Sequence, residues 1–267
     1  MGKDRSTLGP AILPTQQPAL RFLIESALRR VKSTKETDQP QGRDDWVVHL
    51  TEALMSSSET SHKAVLATLL SNGVRSDELY DYYIPAAARY LGELWVMDRA
   101  SFVDVTVGSS RLQALFRNRF DGGAAVGQDR LIPLGQSVLM AIPDYEDHSL
   151  GAFAAADQLR RHGLWVHMGV GLKDYEIASL LESGRFSMVG ISAATWNTLE
   201  KVTELVDYLR VNLECVPPIV LGGRVVSDPA KVEQRTGVDF AVKTVREAVE
   251  KCGLATVGTS LALEALR

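Results

Sequence analysis

The sequence predicts a helical bundle followed by a doubly wound α/β domain, a parallel sheet covered by helices on both faces. Two observations carry this reading. From Trp46 to about Phe120 apolar residues recur at helical spacing, with breaks near "SSSET", "SNGVRSDE" and "VMDRAS" that divide the region into about four helices of ordinary length. After the loop "DGGAAVGQDRLIPLGQ", short continuous apolar runs alternate with amphipathic stretches. Continuous runs suit strands buried on both faces, which is what a parallel sheet between helix layers requires.

In chain order, residues 1–45 read as an arm. Its first part, to residue 17, is rich in Pro, Gly and polar types and is expected to be flexible. "PALRFLIESALRRVKS" places Leu20, Leu23, Ile24, Ala27, Leu28 and Val31 at helical spacing, an amphipathic helix with a basic end. "TKETDQPQGRDD" breaks any apolar period and reads as a linker. The bundle occupies 46–125 and the α/β domain 133–267. In that domain "SVLMAIP", "LWVHMGV", "FSMVGIS", "PIVLGG" and "DFAVK" are the expected strands; "LGAFAAADQLRRHG", "YEIASLLESG", "TLEKVTELVDYLRVN" and "TVREAVEKCG" are the expected helices.

The chain has 267 residues and a net charge of -4 at neutral pH, which argues against nucleic-acid binding over the whole surface. Arg21, Arg29, Arg30, Lys32 and Lys35 could meet phosphates, but a basic helix end also suits the helix dipole, and there is no helix-turn-helix. The two cysteines, Cys215 and Cys252, form no disulfide framework and no metal-ligand spacing; both are expected as small core residues. No signal peptide and no apolar span of membrane length is visible, so a soluble cytoplasmic protein is expected.

Ligands of doubly wound domains bind at the carboxyl ends of the strands. Three features fall there. Glu146, His148 and Gly151 follow the first strand as Glu-x-His-x-x-Gly, Ser192 ends the third in "GISAAT", and Gly222 and Gly223 end the fourth. Taken singly, each has an ordinary explanation: a surface histidine, a hydroxyl capping the next helix, a tight turn after a strand. His49 and His62 are expected on the bundle surface, His162 at a helix end and His167 within a strand.

Together these residues resemble the cobalamin-binding domains whose signature is Asp-x-His-x-x-Gly, Ser-x-Leu and Gly-Gly. The resemblance implies a Rossmann-like fold in which His148 is the lower axial ligand of cobalt, so the metal site is His148. It also implies that Ser192 bonds the buried nucleotide tail of adenosyl- or hydroxocobalamin and that Gly222 and Gly223 let the tail approach the backbone. A carboxylate on the other ring nitrogen fixes the tautomer and raises the basicity of a ligating imidazole, the role implied for Glu146. Two positions depart from the family pattern. Glu146 has one methylene more than the usual Asp, which leaves the bond to His148 open, and Ala194 stands in place of the Leu.

"LYDYYIPAAARYLGELWVMDRASF" resembles the helical cap of light-sensing regulators and methionine synthase, above all in "LGELW". In the photoreceptor relatives that Trp packs over the upper corrin face, which would make Trp95 a cofactor contact; a buried bundle aromatic is the plainer reading. The Glu-His pair that follows in those relatives is Val105 and Thr106 here. Over about residues 46–253 the arrangement looks most like the PpaA/AerR group, photosynthesis-gene antirepressors of purple bacteria. That resemblance implies a non-enzymatic, cobalamin-dependent and light-responsive regulator that binds a redox-responsive transcriptional repressor. Two alternatives share the site: a corrinoid methyl carrier of a methyltransferase system, and a haem-binding sensor that would leave the Ser192 and Gly222-Gly223 pocket without a task.

Overall fold

A computed structural model describes residues 40–121 and 135–256. The expected N-terminal arm up to residue 39, with its amphipathic helix and basic residues, lies outside the described residues, as does most of the inter-domain loop.

The first part is a bundle of helices α1 (Arg43–Met55), α2 (Ser61–Ser71), α3 (Ser76–Glu78), α4 (Ile84–Val96) and α5 (Phe102–Asp121), with a π-helical segment, Leu79–Tyr83, joining α3 to α4. Helix α1 starts at Arg43 rather than Trp46, because the Asp45 carboxylate accepts from the Gln41 and Gly42 backbone N–H groups and closes the first turn. The π segment has a cause in the sequence. Pro85, in the first turn of α4, lacks an N–H and crowds the carbonyl four residues back, and widening the preceding turn relieves both effects.

The second part alternates β1 (Ser137–Pro143), α6 (Leu150–Arg161), β2 (Trp165–Leu172), α7 (Asp174–Ser183), β3 (Met188–Ser192), α8 (Thr198–Asn212), β4 (Ile219–Gly222), α9 (Pro229–Thr236), β5 (Phe240–Ala241) and α10 (Val245–Lys251). All pairings are parallel and the order is β2-β1-β3-β4-β5. This is the expected doubly wound sheet. Helix α9 was not expected, since Val232 is its one buried aliphatic residue, but its boundaries are chemical: Asp228 caps it, Pro229 opens it, and Gly237 closes it at φ 70°.

Alternation along β1 divides the core. Val138, Met140 and Ile142 pack with α6, α10 and the bundle, including the buried Leu50, Ile84 and Phe116. Leu139 and Ala141 face the other way, against Ile177 of α7 and Val202, Leu205 and Leu209 of α8. Bundle and sheet thus share one apolar core on the α6 face. At their junction Arg119 of α5 bonds Asp157 of α6 and Asp77 of α3, while Arg161 bonds Asp157 and Asp81. Among the described residues no helix is long and apolar enough to cross a membrane.

Two expectations fail here. Cys215 is exposed rather than in the core, because it lies in the loop before β4; Cys252 is half-buried, and burial pushes its thiol up to about 11. His62 is buried rather than on the surface, since it lies in the first turn of α2 on the face that also buries Val65, Leu66 and Leu69. Its Nδ1 has no hydrogen-bond partner among the described residues. Burial first, and then the charges of Arg111 and Lys63, lower its pKa. The unfolded chain therefore takes up a proton at His62 more readily than the folded one, so stability falls as the pH drops through about 6.5, the free-histidine value. His62→Leu is expected to remove that part of the slope, at most about 1.4 kcal/mol per pH unit, in urea unfolding curves compared between about pH 7.5 and about pH 5.5.

Candidate corrinoid site

The carboxyl ends of β1, β3 and β4 lie side by side, since β3 pairs with both of its neighbours. The loop leaving β1 carries Glu146 and His148. The Glu146 side chain is 1% exposed, whereas that of His148 is 64% exposed. One carboxylate oxygen, Oε1, accepts from both the His148 backbone N–H and ring Nδ1, each at 2.8 Å. The other, Oε2, accepts from the Ala194 N–H at 3.1 Å. An ionised carboxylate can only accept, so Nδ1 carries a proton, and in the neutral ring it is Nε2 that has the lone pair for an outside partner. The extra methylene of Glu146 does not prevent the bond that the longer side chain left open. Ala194, whose backbone completes the clamp, gives no signal in a sequence, because any residue but proline has that N–H.

Gly151 lies in the first turn of helix α6, and a Cβ built on it would lie 3.3 Å from the Ser192 hydroxyl oxygen. Ser192 is buried, and its hydroxyl has no hydrogen bond with the described residues. It does not cap the next helix, which begins at Thr198 with Asn197 before it. Ser192 and Gly222 are register partners. The two glycines that follow differ. Gly223 has φ 109°, and a Cβ there would overlap the Ala193 carbonyl oxygen, so the chain itself demands glycine. Gly222 has no such need: its φ is not positive, and the nearest atom to a built Cβ is 3.8 Å away. A methyl group would fit there without displacing anything, beside the Ser192 hydroxyl on the neighbouring strand end.

Trp95, at the end of α4, is 48% exposed and meets the ring of Phe102 edge-on at 6.4 Å. It is therefore not a core aromatic of the bundle. With Val96, Met97 and Val103 it forms an exposed apolar surface. The positions of the missing Glu-His pair, Val105 and Thr106, lie on the same helix as Phe102.

An imidazole set on a carboxylate at the mouth of a parallel sheet, beside a strand end without a side chain, has the donor set and the room that a metal-bearing group would need. The B12-binding domain family matches residues 136–252. A curated relative, the "Uncharacterized 20.5 kDa protein in bchF-crtJ intergenic region" of Rhodobacter capsulatus, is 31% identical over 67% of this chain and 92% of its own length. The chain belongs to the B12-binding domain family. The fold is similar to that of the monomethylamine corrinoid protein of Methanosarcina barkeri, with a TM-score of 0.59 at 15% identity over 84% of this chain and 100% of that one.

The residues fit a corrinoid. The two glycines make the fit testable, because one serves the fold and the other does not. Gly222→Ala is expected to leave stability within about 0.5 kcal/mol of the parent, while reducing corrinoid retention on gel filtration. Gly223→Ala is expected to cost about 1–3 kcal/mol in denaturant unfolding.

Proposed function

We propose that the protein is a cobalamin-dependent, light-responsive regulator of the PpaA/AerR kind, an antirepressor that acts by binding a redox-responsive repressor of photosynthesis genes. His148 would hold the cobalt from below through Nε2, with Glu146 fixing its tautomer. Ser192, Gly151 and Gly222 would receive the nucleotide tail, and Trp95 would cover the upper face. Bound there, a corrinoid supplies a cobalt centre whose upper bond to carbon is sensitive to light.

The observation that carries a regulatory role is how the cap is joined to the α/β domain. Asp157, buried on α6, is shared by Arg119 of the cap and Arg161 of its own helix, and Arg161 also reaches Asp81 of the cap. Moving the cap away would strip Arg119 from a buried carboxylate, which is costly. A methyl carrier must uncover its cobalt to partner enzymes, whereas a sensor needs only a change of cap position small enough to keep this junction. The curated relative, named for its place between bchF and crtJ, supports the same direction.

The test is the ultraviolet-visible spectrum of the protein and of His148→Ala with adenosyl- and hydroxocobalamin, in the dark and after illumination, followed by a binding assay with the repressor. The expected result is a retained corrinoid whose spectrum depends on His148, a change on illumination, and repressor binding that differs between the two states. Methyl transfer through the protein by a methyltransferase pair, without any light response, would instead make it a carrier. A stable haem complex without corrinoid retention would change the cofactor. Trp95→Ala is expected to weaken adenosylcobalamin binding more than hydroxocobalamin binding, because only the former presents an adenosyl group to the ring; equal losses by titration would remove Trp95 from the upper face.

A further inference from the structure

Ser149 follows His148 directly and stands at the N-cap position of α6, yet its hydroxyl makes no cap bond to that helix. A serine there usually accepts from the second or third amide of the helix. Here the oxygen accepts from Nε2 of Gln113, 2.9 Å away on cap helix α5. Ser149 is buried and Gln113 half-buried, so the bond is partly shielded from solvent. The loop of His148 is thus held from two sides. Glu146 ties it to the end of β3 through Ala194, and Gln113 ties it to the cap.

Helix α5 has a further property. It begins at Phe102, whose ring meets Trp95, and Gln113 lies about 16 Å farther along the same rod, at 1.5 Å per residue. Near its far end Arg119 bonds Asp157 of α6. A shift of the aromatic end of α5 about that anchored end therefore moves Gln113, and Gln113 is bonded to the residue next to the lower ligand.

We propose that Gln113 is a positioning residue through which the cap sets the placement of His148, so that contact at the upper face and ligation at the lower face are coupled. The inference rests on the reading of His148 as the cobalt ligand. The coupling is reciprocal: whatever favours the cap position seen here favours ligation by His148, and ligation favours that cap position in turn.

The test uses the full chain and two readouts. In the cofactor-free protein, Gln113→Leu is expected to speed amide hydrogen exchange across residues 144–149 while leaving exchange in α2 unchanged. In titrations with hydroxocobalamin it is expected to weaken binding about fivefold, the effect of one hydrogen bond. Gln113→Glu, which can accept from the Ser149 hydroxyl, is expected to restore both. In a His148→Ala background, Gln113→Leu is expected to change the affinity no further. Unchanged exchange across 144–149, or the same fivefold loss in the His148→Ala background, would overturn the coupling. A His148→Ala protein with the parent's spectrum and affinity would overturn the ligand reading and the coupling with it; a loss at His148→Ala alongside an unaffected Gln113→Leu would overturn the coupling alone.

Discussion

One buried carboxylate organises the mouth of this sheet. Glu146 has almost no contact with solvent, and an acceptor in that position needs donors for both of its oxygens. It finds three, two from His148 and one from Ala194. The consequence is geometric as well as energetic. The donors come from two loops, one after β1 and one after β3, so the carboxylate joins two strand ends that the ladder alone leaves free to diverge. The longer glutamate side chain serves this bridging without losing the imidazole. The ring is bonded through Nδ1 only, on a side chain that is largely exposed, and this leaves a histidine able to ligate from a loop tied down by Glu146.

Around that bridge, the parallel sheet does what such sheets do: it collects strand ends at one edge. β1, β3 and β4 are adjacent, so Gly151, Ser192 and Gly222 become neighbours although they are far apart in sequence. The contrast between Gly222 and Gly223 matters here. Gly223 is accounted for by its own backbone, and needs no ligand to explain it. Gly222 has no such internal explanation, and with the Ser192 hydroxyl beside it suits a tail lying against the strand end.

Much of this was legible before the structure, for stated physical reasons. β1 and α8 were readable to the residue, because a central strand is apolar throughout and a helix covering it shows an uninterrupted apolar face. Helix α9 was not, since with little to bury it gives no periodic signal and shows only its caps. His62 and Cys215 were misplaced because single residues carry no direction: which side of α2 is buried depends on how the bundle packs. In the site, the residue types in Glu-x-His-x-x-Gly were enough to nominate the histidine. They could not reveal its clamp, which uses a backbone N–H of Ala194, or the side chain of Gln113, a glutamine with nothing to distinguish it from any other on a helix.

The two faces of the proposed cofactor site are built on different chemistry, and this bears on what kind of signal the protein can carry. The proposed lower face would be an oriented imidazole on a loop held by Glu146. The face proposed to lie above would be the exposed apolar residues Trp95, Phe102, Val96 and Met97, and at the two positions where a ligand pair stands in the resembling photoreceptors the chain has Val105 and Thr106, of which neither brings a nitrogen ligand. An apolar surface distinguishes states by contact area and shape, so it responds to the loss or gain of a bulky group rather than to charge at the metal. A ligand shifts a conformational equilibrium only by the difference in its affinity for the two states. A bulky upper group packed on Trp95 would supply such a difference, and the anchored far end of α5 would turn the change into a rotation of the cap rather than its release. In the proposed sensor, the ion pairs at Asp157 would limit how far the cap travels, and the aromatic surface would decide when it moves.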